Sequence, residues 1–179
     1  MRWLRLRAVW LLILPFLWLA DPTPGLLAAG GALAAAGLAL RAWAAGHIRK
    51  EKELTTTGPY AHTRNPLYVG SFFLGLGVTV AGGHWLFVVL FLLFFVLVYG
   101  RTIRGEAGLL EEMFGSAYRH YAQRVPLVVP RLTPYRAPGD EGREGRPFEL
   151  DRWRRNREYE ALLGTVAGFA FLAAKMVWL

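Results

Sequence analysis

The chain has 179 residues, 54% of them hydrophobic and 19% charged, with 21 Lys and Arg against 13 Asp and Glu. Its length suits one domain, and apolar residues bunched into blocks between basic loops exclude an ordinary soluble globule. The formal charge of +8 comes with no basic stripe interleaved with stacking aromatics, so nucleic acid is not an expected partner, and zero cysteines exclude disulfides, thiolate metal sites and a lipidated cysteine.

Residues 3–20 form the first predicted span, a run that includes VWLLILPFLWLA with Pro15 as a kink and has a basic start like that of a signal peptide. The DPTPG that follows is not a small-residue cleavage site, so the segment is read as a retained helix. The second span, 26–46, is rich in Ala and Gly. Its Gly30, Ala34 and Gly37, like Gly164-x-x-x-Gly168 near the end of the chain, let helices approach closely where lipid removes the hydrophobic drive.

A polar loop, TTTGPYAHTRNPLYVG, then runs without a linker into a third span at 67–81, and the fourth, 84–100, contains LFVVLFLLFFVLV. Roughly 20 residues at about 1.5 Å each cross a hydrocarbon core of about 30 Å, so these two spans are short. Residues 101–134, RTIRGEAGLLEEMFGSAYRHYAQRVPLVVPRLTP, read as an amphipathic helix leaving the membrane. One face carries Leu109, Leu110, Met113, Phe114, Ala117 and Tyr121, opposite Glu112, Ser116, Arg119, His120 and Gln123. Gly115 suits a helix end, Ser116 a new cap, and Pro126, Pro130 and Pro134 end regular structure. Residues 135–157, centred on APGDEGREGRP, read as a flexible polar linker, and 159–179 as the fifth span.

Charge placement tests this layout independently. With the N-terminus inside, 20 of the 21 Lys and Arg fall on cytoplasmic segments and only Lys175 lies near the far face. The expectation is an all-α integral membrane protein of one domain and about five transmembrane helices, N-terminus cytoplasmic, in the plasma or inner membrane if bacterial. The polar blocks 55–70 and 101–134 then share the cytoplasmic side.

GPYAHTRNPLYVG, followed some 35 residues later by R-x-E, FG-x-x-Y-x-x-Y and VPLVVPRLTP, resembles the isoprenylcysteine carboxyl methyltransferase family and its phospholipid methyltransferase relatives. The resemblance runs from about Gly58 to Pro134, and the two blocks in this order are specific where either alone is weak. Asn65 stands where the family has histidine, keeping a donor and an acceptor but no charge, and Ala107 stands where a second glutamate follows Glu106.

The resemblance implies S-adenosylmethionine as methyl donor, bound without a Rossmann domain at the cytoplasmic helix ends; the sequence has no strand followed by G-x-G-x-x-G. Within that frame Tyr60, Arg64, Asn65, Tyr68, Gly70, Tyr118 and Tyr121 are the expected cofactor-binding residues, supplying donors, acceptors and aromatic walls. Arg101, Arg104 and Glu106 are the expected catalytic residues, the arginines aiming a carboxylate acceptor and Glu106 pairing with Arg101 or accepting from the cofactor's ammonium. No metal is expected. The implied acceptor is lipid-like, a carboxylate of the isoprenylcysteine type, and reaches the site from the bilayer past a wall containing Gly70, Ser71 and Gly75. The alternatives are a phospholipid amine, with Glu106 as its base, an NADPH-dependent reductase of the sterol-reductase type, and a non-catalytic membrane scaffold.

Overall fold

Two backbones in contact organise the bundle. In the computed structural model, which describes residues 13–48, 53–137 and 148–178, helix α2 (Pro24–His47) lies against α3 (Pro66–Ala81). A Cβ on Gly30 would stand 2.3 Å from the Gly77 carbonyl oxygen, and one on Gly77 would stand 2.4 Å from that of Gly30. Gly37 and Gly70 repeat the arrangement one contact further along, with 2.6 and 2.8 Å to each other's carbonyl oxygens. The small residues of the second span thus do what the sequence suggests. The pair on the last helix does not: a Cβ on Gly164 or Gly168 of α7 (Glu158–Trp178) would have nothing within 4 Å. Their face is turned away from the described bundle.

The described residues are all helical or irregular, with no strand among them. Residues 13–19 form α1, and the earlier part of the first predicted span lies outside the described residues. Three described helices are long and apolar enough to cross a membrane, Pro24–His47, Trp85–Ala122 and Glu158–Trp178; Pro66–Ala81 is apolar but only 16 residues long. The fourth predicted span and the amphipathic block are one continuous rod. Helix α4 (Trp85–Phe94) passes through a π-helical stretch (Phe95–Tyr99) into α5 (Gly100–Ala122). The expected break is at Gly115, whose φ of 53° and ψ of −123° bend α5 there.

At one end of the bundle, Asp21 N–H donates to the Gly82 carbonyl at 2.8 Å, and Lys175 donates to the Leu17 and Trp18 carbonyls at 2.9 and 2.6 Å. A cation there satisfies carbonyls that a helix terminus leaves open.

The opposite end carries the polar residues. Part of the expected linker is ordered there: Phe148 packs on Gly46 and His47, and α6 (Leu150–Arg155) buries Arg152. This segment closes the C-terminus of α2. Ala45, Gly46 and His47 carbonyls accept from the Asn156 side chain, the Glu149 N–H and the Arg152 guanidinium at 2.9, 3.2 and 3.3 Å. Orphan carbonyls and the negative end of the helix dipole account for a buried arginine here. The middle of that linker, 138–147, lies outside the described residues.

Arg41 ties three helices together at the same end. Its guanidinium donates through Nε and Nη2 to both Glu158 carboxylate oxygens at 2.9 Å, and through Nη1 to Ser71 Oγ at 2.5 Å. Gly70 is covered by α2 and Gly75 by the Phe91 ring. Of Gly70, Ser71 and Gly75, expected to border a lateral opening, Gly70 is buried and the other two are half-buried.

Candidate cofactor site

The site begins at a turn that only glycine can start. Gly58 has φ +59°, and the His47 ring occupies the space of a Cβ, with its Cδ2 2.5 Å away. From there the short 3-10 turn Gly58–Ala61 buries Pro59, Tyr60 and Ala61. The chain after α5 then returns alongside it. Arg64 N–H donates to Pro126 O, Arg131 N–H to His62 O and Tyr135 N–H to Ala61 O, each at 2.9 Å. Side chains complete the seam: Thr63 Oγ1 donates to Val128 O at 3.0 Å and Asn65 Nδ2 to Leu127 O at 2.9 Å. The proline-rich VPLVVPRLTP works as this clasp because prolines lack only N–H groups, and here several of its carbonyls are what the loop uses.

Aromatic side chains fill the angle between loop and helix. Ala61, Tyr118, Tyr121, Val125 and Tyr135 form a buried cluster, with Ala107, Leu110 and Phe114 packed on it. The packed face of α5 therefore runs through Ala107, Leu110, Phe114, Tyr118 and Tyr121, while Leu109 and Met113, expected on it, are exposed. Tyr121 Oη donates to the Tyr60 carbonyl at 2.6 Å, locking helix to turn.

Between these walls lies a cavity of about 80 Å³ bordered by Tyr60, Arg64, Asn65, Tyr118 and Tyr121 from the expected set, together with Leu54, Thr55, Ala107, Leu110 and Phe114. Two buried polar atoms at it, Tyr60 Oη and Arg64 Nε, find no hydrogen-bond partner among the described residues. Burial, the adjacent Tyr121 and the carboxylates of Glu158 and Glu106 push the Tyr60 phenol well above its ordinary pKa, so it stays protonated and able to donate. Arg64 is oriented by Tyr118, whose hydroxyl accepts from Nη1 at 3.1 Å.

Other expected residues stand elsewhere. Tyr68 Oη donates to Glu106 Oε1 at 2.6 Å, joining α3 to α5 on the exposed side, and neither borders the cavity. Glu106 thus meets a phenol where Arg101 or the cofactor's ammonium was expected. Arg101 and Arg104 are exposed, and Arg104 borders a neighbouring open cleft. Gly70 packs against Arg41 and Gly37 and does not border the cavity. Asn65 borders the cavity but directs its amide to the clasp.

Sequence reasoning missed Glu158, Arg41 and His47. Nothing marked Glu158 within RNREYE, 117 residues from Arg41, because a carboxylate in a charged run looks solvated. His47 could have been noticed as a polar residue closing an apolar helix just before the GPYA turn.

The chain matches the phospholipid methyltransferase family over residues 27–117, from α2 to just short of Tyr118. Among curated proteins, it is 38% identical over 99 residues to the nickel-cobalt-cadmium resistance protein NccN of Alcaligenes xylosoxydans xylosoxydans, covering 54% of this chain and 46% of that protein. It is 37% identical over 98 residues to the cobalt-zinc-cadmium resistance protein CzcN of Cupriavidus metallidurans, covering 54% and 45%. It is 34% identical over 83 residues to a protein-S-isoprenylcysteine O-methyltransferase of Schizosaccharomyces pombe, covering 46% and 35%. The aligned region spans less than half the length of each of these relatives, and no solved structure matches. The family match takes in just over half of the residues, including the turn, the clasped loop and most of the kinked helix that together enclose the cavity, and on that match the chain belongs to the phospholipid methyltransferase family.

Proposed function

We propose that this protein transfers a methyl group from S-adenosylmethionine to a lipid-like acceptor, with the carboxylate of an isoprenylcysteine-type molecule as the leading candidate. The observation that carries the reading is the pair of buried, unpartnered polar atoms, Tyr60 Oη and Arg64 Nε, at a cavity between the two blocks that the family shares. Unpaired buried polar groups are costly, and a ligand that pairs with them offsets that cost.

The residues suit the cofactor's chemistry. Arg64 offers an N–H to a carboxylate, Tyr60 a neutral hydroxyl to a carboxylate or ribose, and Tyr118, Tyr121, Phe114 and Leu110 an apolar surround that excludes water. When bound, S-adenosylmethionine supplies an electrophilic methyl on a sulfonium. The cavity of about 80 Å³ is well below the roughly 300 Å³ or more of ligand pockets, so binding requires its walls to move.

A carboxylate acceptor needs no general base. It needs cations to draw it from water, and Arg101 and Arg104, exposed just beyond the apolar part of the long helix, are available for that. The relative named as an isoprenylcysteine O-methyltransferase supports this acceptor. The match to the phospholipid methyltransferase family supports a second reading, in which the acceptor is a lipid amine and the exposed Glu106 takes its proton. The distribution of Lys and Arg supports a cytoplasmic face for the site and a cytoplasmic N-terminus.

Calorimetry and turnover on the full chain in detergent test the proposal. S-adenosylhomocysteine is expected to bind with NADPH silent, and labelled methyl to pass to a farnesylated cysteine. Label moving to phosphatidylethanolamine instead would select the amine reading, in which Glu106→Gln slows turnover most. Failure to bind S-adenosylhomocysteine would end the proposal.

A further inference from the structure

Three apolar side chains of the clasp have no use inside the fold. Val128, Val129 and Leu132 are 36%, 76% and 96% exposed, Leu132 more so than any other large apolar side chain among the described residues. None of them borders the cofactor cavity or the open cleft next to it, and none belongs to the buried cluster that takes in Val125 and Tyr135 on either side. The loop is not free to turn them inward. Its backbone is pinned by the bonds to Ala61, His62, Thr63, Arg64 and Asn65, and Pro126, Pro130 and Pro134 each fix a φ angle. Arg131 braces it from within, donating to the Arg124 carbonyl at 2.9 Å and to Thr133 Oγ1 at 3.0 Å. Exposed apolar side chains scattered singly are ordinary, but three within one stiff loop make a patch, and such patches mark interaction surfaces.

The depth of the loop identifies what it meets. Helix α3 has 16 residues, or about 24 Å at about 1.5 Å each, against about 30 Å of hydrocarbon. Its far end is held at an interface, because the Gly82 carbonyl accepts from the N–H of Asp21, whose exposed carboxylate belongs in water. The Pro66 end therefore does not stand clear of the opposite edge of the hydrocarbon. The seam descends toward that end: Tyr135 is bonded to Ala61, Arg131 to His62, Val128 to Thr63, and Leu127 to Asn65, the residue before Pro66. Val128 and Val129 thus sit at the part of the loop nearest the first turn of α3. A second helix gives the same level. His62, whose Nδ1 is 2.8 Å from the Arg131 carbonyl, has its ring 6.4 Å from that of Trp43. Trp43 is an exposed indole near the end of α2, of the kind that settles where a membrane meets water.

We infer that Val128, Val129 and Leu132 insert into the interfacial layer of the bilayer beside α3, so that the clasp is a lipid-surface contact. The partner is the bilayer surface as a whole: burial of apolar area holds the loop there, and no headgroup is recognised. The same loop supplies the carbonyls that engage Thr63, Arg64 and Asn65, so the bilayer braces one wall of the cavity from outside. The inference does not depend on the methyltransferase reading.

The chain has no cysteine, so single-cysteine variants of the full chain can carry a nitroxide at one chosen position in phosphatidylcholine nanodiscs. Val129→Cys and Leu132→Cys replace exposed side chains and should fold as wild type. Leu97→Cys, exposed on the apolar part of the long helix, is the lipid control, and Glu112→Cys, exposed beyond it, the water control. Power saturation then compares access of oxygen, which concentrates in lipid, with access of a water-soluble nickel chelate. Both loop labels are expected to favour oxygen severalfold more than the Glu112 label and to approach the Leu97 label. Ratios equal to that of the Glu112 label would place the loop in water and overturn the inference. Exclusion of both relaxants would show the loop covered by protein, whether a second copy or other residues of this chain, and would overturn it equally. Val129→Asp with Leu132→Asp should speed hydrogen exchange of the clasped Arg131 and Tyr135 amides severalfold in the same nanodiscs, and unchanged exchange would overturn the bracing.

Discussion

Tyr60 keeps a hydroxyl buried with no partner among the described residues, a condition that costs about 1–3 kcal/mol of stability in folded proteins. Tyr60→Phe is therefore expected to leave the ligand-free melting temperature unchanged or higher while weakening S-adenosylhomocysteine by about 1–2 kcal/mol. Thermal melts and calorimetry on the same preparation check both halves, and a lower melting temperature would show that the hydroxyl is already satisfied. Asn65 is expected to behave oppositely. Its amide is engaged by the Leu127 carbonyl, so Asn65→Leu should cost about 1–2 kcal/mol of stability, with Asn65→His recovering most of it by restoring an N–H donor. A variant that melts like wild type but binds cofactor poorly would return Asn65 to the cofactor's contacts. Both residues could be singled out from the polar loop. Both border the cavity, and which of them has its polar group taken up by a carbonyl depends on the returning segment, 62 residues away along the chain.

Glycine acts on helices here in two ways, and they give separate predictions. Gly37 sits where a Cβ would lie 2.6 Å from the Gly70 carbonyl oxygen and the Leu74 nitrogen. Gly37→Val must force α2 from α3, and a loss of more than about 3 kcal/mol, as for severe overpacking, is expected. Gly164→Val meets no atom and should melt within about 0.5 kcal/mol of wild type, as substitutions away from packed features do. Comparable losses in both would mean that Gly164 packs against something beyond the described residues. Gly115 acts through conformation alone. It has open space around it but a positive φ, so Gly115→Ala should cost about 1–3 kcal/mol of backbone strain or straighten α5. Either result should raise hydrogen exchange along residues 107–121, whereas unchanged exchange would show that the bend is held by the clasp.

Two of the membrane-length helices, α2 and α7, and the shorter α3 are drawn together at the polar end by Arg41, Ser71 and Glu158. Glu158 is 8% exposed and Arg41 23%, so removing one partner strands the other. Arg41→Gln or Glu158→Gln alone should cost up to about 3–5 kcal/mol, and the pair of substitutions together less than the sum of the two. A double-variant cycle in detergent measures this; simple additivity would show that the ion pair adds nothing to holding α7 in place. Such a contact could not be foreseen. Hydropathy, the Gly30, Ala34 and Gly37 spacing and the two polar blocks reveal an all-helical membrane chain, a close helix approach on α2, the bend at Gly115 and the region of the cavity, because each is written in neighbouring residues through helical period, side-chain size or backbone freedom. The sequence by itself also carries the family, through motifs whose order survives substitution at Asn65 and Ala107. Only the tertiary structure decided that the end of the expected linker closes α2, that Gly164 and Gly168 face outward, that Gly70 belongs to packing, and that Arg41 finds Glu158 across 117 residues. Those outcomes depend on which faces and termini meet in space, and local periodicity and charge contain no record of where a distant partner will arrive.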